Sequence, residues 1–203
     1  MPKLTTTPAE ASAPKRRRAD AERSVAAILD AALEALASDP DSSMSEIARR
    51  AGVVRATIYV HFPTRTDLLD AVMEYAVGQV VEAMRGAEPE RGEPVEALER
   101  VLQATWRQLA QFHGLLAMNT ARLSAEELHR RHIPMLDQIE PLIERGQKQG
   151  LFRSDLPVAW HLAVVRAIVH AASAAIQGGR IPESEAEAAM LTTAINAIAT
   201  PRV

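Results

Sequence analysis

Residues 55–65 read RATIYVHFPTR, and most of the side chains that can hydrogen-bond are set among apolar ones: Arg55, Thr57, Tyr59, His61 and Arg65 around Ile58 and Phe62. A guanidinium can fork onto the O6 and N7 of guanine, and Thr and Tyr hydroxyls bond phosphate oxygens. Ala56 is small enough to lie against a thymine methyl. A short helix over about residues 55 to 61 would keep Ile58 and Phe62 inward and turn Arg55, Ala56, Thr57, Tyr59 and His61 outward. Upstream, Lys15, Arg16, Arg17 and Arg18 form a basic run that can follow a duplex or enter its minor groove, or stand as a solvated charge run.

A second constellation is His129 and His132 in HRRH, spaced i, i+3, with Glu126 and Glu127 beside them. Two imidazoles at that spacing can contribute to a metal site. No second such motif supplies further ligands, HExxH is absent, and Arg130 and Arg131 oppose a cation. A metal-dependent enzyme built on residues 126–132 is therefore a remote alternative. Neither GxGxxG, a Walker loop nor GxSxG occurs, so the expectation is a protein that is not an enzyme and uses no metal or cofactor. A third set could line an apolar pocket with a few orienting polar groups: Trp106, His113, Met118, Asn119, Arg122, His161, Arg166 and His170. Each is equally readable as core or surface.

The elements that must position these residues are helical. Apolar residues at 25, 28, 29, 32, 33 and 36 mark one face of a helix over about residues 20 to 38, ended by Pro40. Ser43 and Glu46 form a capping-box pattern for a short helix over about 44 to 51, and Gly52 supplies the left-handed turn before the next. Helix, glycine turn and helix together are a helix-turn-helix pattern, although an ordinary helical hairpin has the same outline. Pro63, then Thr64 with Asp67, open a long helix to about residue 85, and GAEPERGEP reads as a linker. Further helices are expected over about 94 to 113, 115 to 122, 125 to 132, 135 to 149, 158 to 177 and 184 to 199, with Pro134 and Gly150 among the breaks. No run alternates with period two, so the fold class is all-α.

Composition agrees. At 203 residues and 47% hydrophobic, the chain can bury a real core. Its net charge of −3 makes it no polycation, so contact with nucleic acid must be local. Through residue 65 the count is about +2, leaving about −5 for the remainder. There is no Cys, which excludes disulfide frameworks and thiolate metal sites. The chain shows no apolar signal segment or long uncharged apolar run, so a cytoplasmic protein with no membrane partner is expected. Residues 158–176 are apolar on nearly every face, and such a helix needs burial on more than one side. The expectation is a homodimer pairing this helix and the last one with their copies, through Val164, Ile168, Ala171, Ala172, Ala175, Met190, Ala194 and Ile195.

The run Thr57-Ile58-Tyr59-Val60-His61-Phe62, followed by Pro63-Thr64-Arg65, resembles the end of the recognition helix in tetracycline repressor (TetR-type) transcriptional regulators. The likeness extends over SEIARRAGV, the RRRAD entry and LLDAV, covering about residues 16 to 85. GLFRSDLPVAW, residues 150–160, is similar to the junction before the dimerising helices of many members. The resemblance implies a three-helix DNA-binding domain followed by a helical ligand-binding and dimerisation domain. The boundaries expected are a flexible basic arm at 1–19, the DNA-binding domain at 20–63 and the larger domain at 64–203. It also implies a dimer that binds a pseudo-palindromic double-stranded operator, usually as a repressor, and is released by a small-molecule effector. Arg55 would read a base, Thr57, Tyr59 and Arg65 would hold phosphates, and His61 would touch backbone or base. Two departures stand out: Val54 occupies a position that is commonly a capping Ser, and SDPDSSM is a shorter link than usual. The competing class is a helical interaction module without a DNA role.

Overall fold

The computed structural model describes residues 13–110 and 124–201, with side chains described from residue 21 onward. Two compact units divide the chain, residues 1–72 and 73–203.

In the first unit, α1 (Ala13–Ser38) buries Ile28, Leu29, Ala32, Leu33 and Leu36, the stripe expected from spacing. It starts near residue 13 rather than 20, so the backbone of 15–18 is helical and not an extended arm. Pro14 is tolerated because a first-turn residue has no intrahelical bond to lose, and KRRRADAER after it consists mostly of good helix formers. The short link to α2 (Met44–Arg50) is knitted by its own polar groups. Asp41 N donates to Asp39 Oδ1 at 3.0 Å, and the buried Ser42 hydroxyl donates to Ala35 O at 3.3 Å. The Ser43 hydroxyl caps α2, accepting from Glu46 N at 3.2 Å. Glu46 does not return the bond: its carboxylate turns along the helix to Arg49 at 2.6 Å and Arg50 at 3.0 Å. Those hydrogen bonds hold the Glu46 carboxyl at about 2, well below the usual carboxylate value. Gly52, at φ +68°, ends α2, and Val53 N returns to Ala48 O at 3.0 Å. Next come α3 (Arg55–His61) and α4 (Arg65–Gly86). Thr64 and Asp67 form the reciprocal capping box at its start, Thr64 N donating to Asp67 Oδ2 at 2.9 Å and Asp67 N to Thr64 Oγ1 at 3.1 Å.

The second unit takes the later turns of α4, then α5 (Pro94–Ala110), α6 (Ala125–Lys148), α7 (Val158–Gln177) and α8 (Glu183–Ile198). The linker at 87–93 is not loose. Arg100 of α5 donates to Ala87 O at 3.2 Å and Arg91 O at 2.7 Å, and Arg145 of α6 donates to Pro89 O at 3.0 Å. The main departure from the sequence reading is α6, one helix through Pro134 where a break was expected. Pro134 and Pro141 both lie on its solvent side, so the carbonyls they leave without an amide partner, on Arg130 and Asp137, belong to exposed residues and can be hydrated. The core is made by α5 packing on α6 and α8, α6 on α7, and α7 on α8, with Phe152, Leu98, Leu102, Ile143 and Met190 among its fully buried side chains. Among the described residues there is no strand; a single bridge joins Phe152 to Ala199. The expected helix over 115–122 lies outside the described residues.

By length and mean hydropathy α7 is apolar enough to cross a membrane, although Arg166 interrupts it, so it is not an uncharged run. It buries His161, Leu162, Val165, Val169 and Ser173 in the unit's own core, and leaves Trp160 and Ala171 exposed.

Candidate nucleic-acid interface and buried cavity

Two turns of helix carry the first site. Ile58 is fully buried and Phe62 nearly so, which anchors α3 by one face. Arg55, Ala56, Tyr59 and Val60 are exposed on the other, with Thr57 and His61 half-buried between. The side chains expected to face outward therefore share one open surface. Within it the Arg55 guanidinium lies over the Tyr59 ring, 5.5 Å from the centroid, with its Nη2 3.5 Å from the Tyr59 hydroxyl. A cation on an aromatic face gains about 0.5–1 kcal/mol at an exposed site, enough to bias the rotamer of a long side chain. Arg65 stands apart. Its Nη2 donates to Pro40 O at 2.7 Å and its Nη1 to Ser42 O, so the side chain expected to hold a phosphate instead braces the α1–α2 link. The side chains of Lys15, Arg16, Arg17 and Arg18 lie outside those described.

Val54 and Val60 were assigned to no surface from the sequence, and they are the most exposed large apolar residues among those described, at 71% and 77%. Val54 holds the N-cap backbone geometry, φ −72° and ψ 149°, but offers no side-chain cap. Val54→Ser should therefore place a hydroxyl against the free amides of α3 without losing any packing, raising stability by about 0.5–2 kcal/mol. Thermal unfolding and amide exchange of residues 55–58 would measure it; an unchanged exchange rate there contradicts the capping argument.

The second site is a cavity of about 510 Å³ inside the second unit, walled by the later turns of α4 and by α5, α6 and α7. Its walls are mostly apolar, with Met73, Val80, Met84, Leu102, Leu136 and Ile139 among them. The titratable side chains that reach it are Arg131 and His132 from α6 and Arg166 and His170 from α7. His132 Nδ1 donates to Leu128 O at 2.6 Å, which leaves its Nε2 as an acceptor. His170 Nε2 lies 3.1 Å from that atom, so His170 must carry the proton there and donate it. Burial pushes both imidazoles below the usual histidine value, an effect that the Leu128 carbonyl opposes at His132 and that the nearby Arg166 charge reinforces at both. The pair is neutral at pH 7. Arg131 is matched by Glu127 at 3.1 Å, whereas among the described residues Arg166 has no hydrogen-bond or ion-pair partner.

Of the residues expected to line a pocket, Arg166 and His170 do so. Trp106 is packed in the apolar core and His161 is buried with its Nε2 donating to Arg153 O at 2.8 Å, so neither lines this cavity. His113, Met118, Asn119 and Arg122 lie outside the described residues. The sequence reading missed Arg131 and His132 as wall residues. His129 is exposed while His132 turns inward, so the HRRH pair does not act as one chelating unit. Two of the expected dimer contacts also need correction. Met190 and Ala194 are buried in the unit's own core, because the inward stripe of α8 is 186, 190, 191, 194 and 198. Val164, Ile168, Ala172, Ala175 and Ile195 are half-buried and Ala171 is exposed.

Comparison with known proteins agrees with this arrangement. Residues 28–72 match the family described as "Bacterial regulatory proteins, tetR family", and residues 94–198 match "Tetracyclin repressor-like, C-terminal domain". The HTH-type transcriptional repressor LfrR of Mycolicibacterium smegmatis is 30% identical over 88% of this chain and 92% of its own. The fatty acid metabolism regulator protein of Bacillus subtilis is 32% identical over 64% of this chain and 72% of its own. A crystal structure of LfrR from Mycobacterium smegmatis in complex with proflavine superimposes with a TM-score of 0.65 at 26% identity, covering 89% of this chain and 99% of that one. The chain belongs to the TetR family of transcriptional regulators, non-enzymatic proteins that bind DNA operators as homodimers and respond to small-molecule effectors.

Proposed function

We propose that this regulator is a cytoplasmic repressor that grips a pseudo-palindromic operator through α3 of each protomer and releases it when a small molecule fills the cavity. The observation that carries the reading is the open face of α3, where Arg55 and Tyr59 stand exposed on a helix pinned by Ile58. Arg55 is the base reader, Ala56 a contact for a thymine methyl, Thr57 and Tyr59 the phosphate ligands, and His61 an accessory contact. Lys15, Arg16, Arg17 and Arg18 supplement them along the duplex. Arg65 serves instead by holding the α1–α2 link in place. The repressor named LfrR, similar over most of the chain, favours repression over activation.

For the dimer, the half-buried and exposed positions of α7, Val164, Ala171 and Ala175, meet their copies. The outer face of α8, with Ala189, Thr192 and Asn196, takes the place of Met190 and Ala194. Occupation of the cavity acts on α4, which supplies wall residues from Met73 to Met84 and is continuous with the turn beginning at Arg65. An effector that moves the population almost wholly must prefer the released state by about 5.5 kcal/mol.

Selecting bound fragments from the source genome and titrating the winner against salt tests the reading. With about four to six phosphates neutralised per protomer, log affinity should fall against log salt at about −0.9 per phosphate. A protein with no duplex preference and no salt dependence would overturn it.

A further inference from the structure

The charge of the cavity wall selects its ligand. Element by element, α4 contributes only apolar side chains, α5 contributes Thr105 as its polar group, α6 contributes Arg131 and His132, and α7 contributes Arg166 and His170 with the uncharged Ser173 and Gln177. No Asp or Glu lines it among the described residues. The stretch 111–123, outside the described residues, contains no Asp or Glu in its sequence either. Thr105 is already engaged, its hydroxyl donating to Val101 O at 2.8 Å. Arg131 is balanced by Glu127, which is not a wall residue, and this leaves Arg166 as the charge without a partner among the described residues, beside the imidazole pair.

A cation entering such a space would be desolvated against a guanidinium with no carboxylate to receive it. An anion would gain charge-assisted hydrogen bonds from Arg166, and its body would cover the apolar wall. We propose that the effector of this regulator is an anionic amphiphile, a carboxylate or comparable acid on an apolar body, with its head group at Arg166, His132 and His170 and its body along α4 and α5. The proposal rests on the reading of the cavity as the effector site. It sets this chain apart from its relative LfrR, which was crystallised with proflavine.

The imidazole pair adds a second property. With His132 Nε2 accepting from His170, the proton-free atom of the pair is His170 Nδ1. A bound anion favours the charged form of a histidine and so raises its proton affinity. Because burial holds both groups below the usual histidine value in the free protein, binding an anion then takes up a proton, and affinity rises as pH falls through the raised value of the bound pair. The other ionisable side chains on the wall are the guanidiniums of Arg131 and Arg166.

The full-length dimer can be tested by calorimetry with three probes that share one chain and differ in head group: decanoate, decanol and decyltrimethylammonium, with proflavine as a fourth. Decanoate should bind most tightly, with proton uptake seen as a buffer-dependent heat. Arg166→Gln should weaken decanoate on the order of tenfold or more, as expected for losing a hydrogen bond to a charged group, while leaving decanol unchanged. Arg166→Lys, which keeps the charge, should retain the anion preference, and His170→Gln should abolish the proton uptake. Decyltrimethylammonium or proflavine binding as tightly as decanoate, an anion preference that survives Arg166→Gln, or no decanoate binding at all would overturn the proposal. Operator binding by the ligand-free protein is measured separately, so failure of the regulator reading and failure of the ligand class are distinct results.

Discussion

Arg55→Ala should weaken operator binding about tenfold to a hundredfold and flatten base preference at one position of each half-site. This is the range expected for losing a bidentate contact worth about 1–3 kcal/mol of discrimination. A residue that holds only a phosphate would weaken every duplex alike. Tyr59 would be placed in that second class by its hydroxyl alone, but its ring lies under the Arg55 guanidinium, 5.5 Å from the centroid. On the proposed reading, Tyr59→Ala should remove a phosphate contact and also the ring that orients the Arg55 guanidinium. Part of the sequence preference should therefore disappear with it, while Tyr59→Phe keeps the ring and loses only the uniform contact. A double-mutant cycle between positions 55 and 59 should return a coupling of about 0.5–1 kcal/mol. Fluorescence anisotropy on the operator and on single-base variants supplies the measurements. Strict additivity, with base preference unchanged in Tyr59→Ala, would separate the two residues.

Among the described glycines of the second unit, Gly146→Ala should be the most costly substitution. A Cβ at that position would lie 2.0 Å from Phe152 Cδ2 and 2.4 Å from its Cε2. The ring cannot step aside, being 1% exposed in the middle of the core. Its backbone is fixed as well, since Arg153 N donates to Ile198 O and Thr200 N to Leu151 O, both at 2.9 Å. Overpacking of this kind costs about 1–3 kcal/mol, and a rigid neighbour puts the expected value at or above the upper end. Emptying the same place with Phe152→Ala should cost about 3–5 kcal/mol by leaving a cavity. The combined variant should recover part of the overpacking loss, because the added methyl then meets empty space. Urea unfolding at one fixed protein concentration measures all three, since a dimer's apparent stability depends on concentration. Gly146→Ala at wild-type stability would mean that α6 and Phe152 are not held as the geometry requires.

Local chemistry makes the DNA-binding unit legible in its sequence. The apolar stripe of α1, the Ser43 cap, the turn at Gly52 and the Thr64–Asp67 box each depend on residues within a few positions of one another, and each occurs where expected. Two features there are not legible in that way. Glu46 has a choice between its own cap and Arg49 with Arg50, and it pairs with the arginines. Arg65 reaches back 23 and 25 residues to Ser42 and Pro40, a distance at which periodicity carries no information.

In the second unit a single misjudged residue hides the most informative surface. Treating Pro134 as a break separates Leu128, Arg131 and His132 from Met135, Leu136 and Ile139. On one continuous helix these fall at i, i+3, i+4, i+7, i+8 and i+11, and together they form a wall of the cavity. With the helix carried through the proline, the stripe points to His132 as an inward residue rather than a metal ligand.

By itself the sequence determined the all-α class, the helix-turn-helix and the division of α3 between an anchoring face and an open face, because these follow from the rotation of a helix and the chemistry of its ends. Only the tertiary structure decided which polar side chains find one another across elements: Arg55 on Tyr59 is still local, but His132 on His170, and Arg166 with no partner among the described residues, are not. Whether a histidine or an arginine is core, surface or cavity wall depends on what packs opposite it, and periodicity along one helix cannot specify its neighbour.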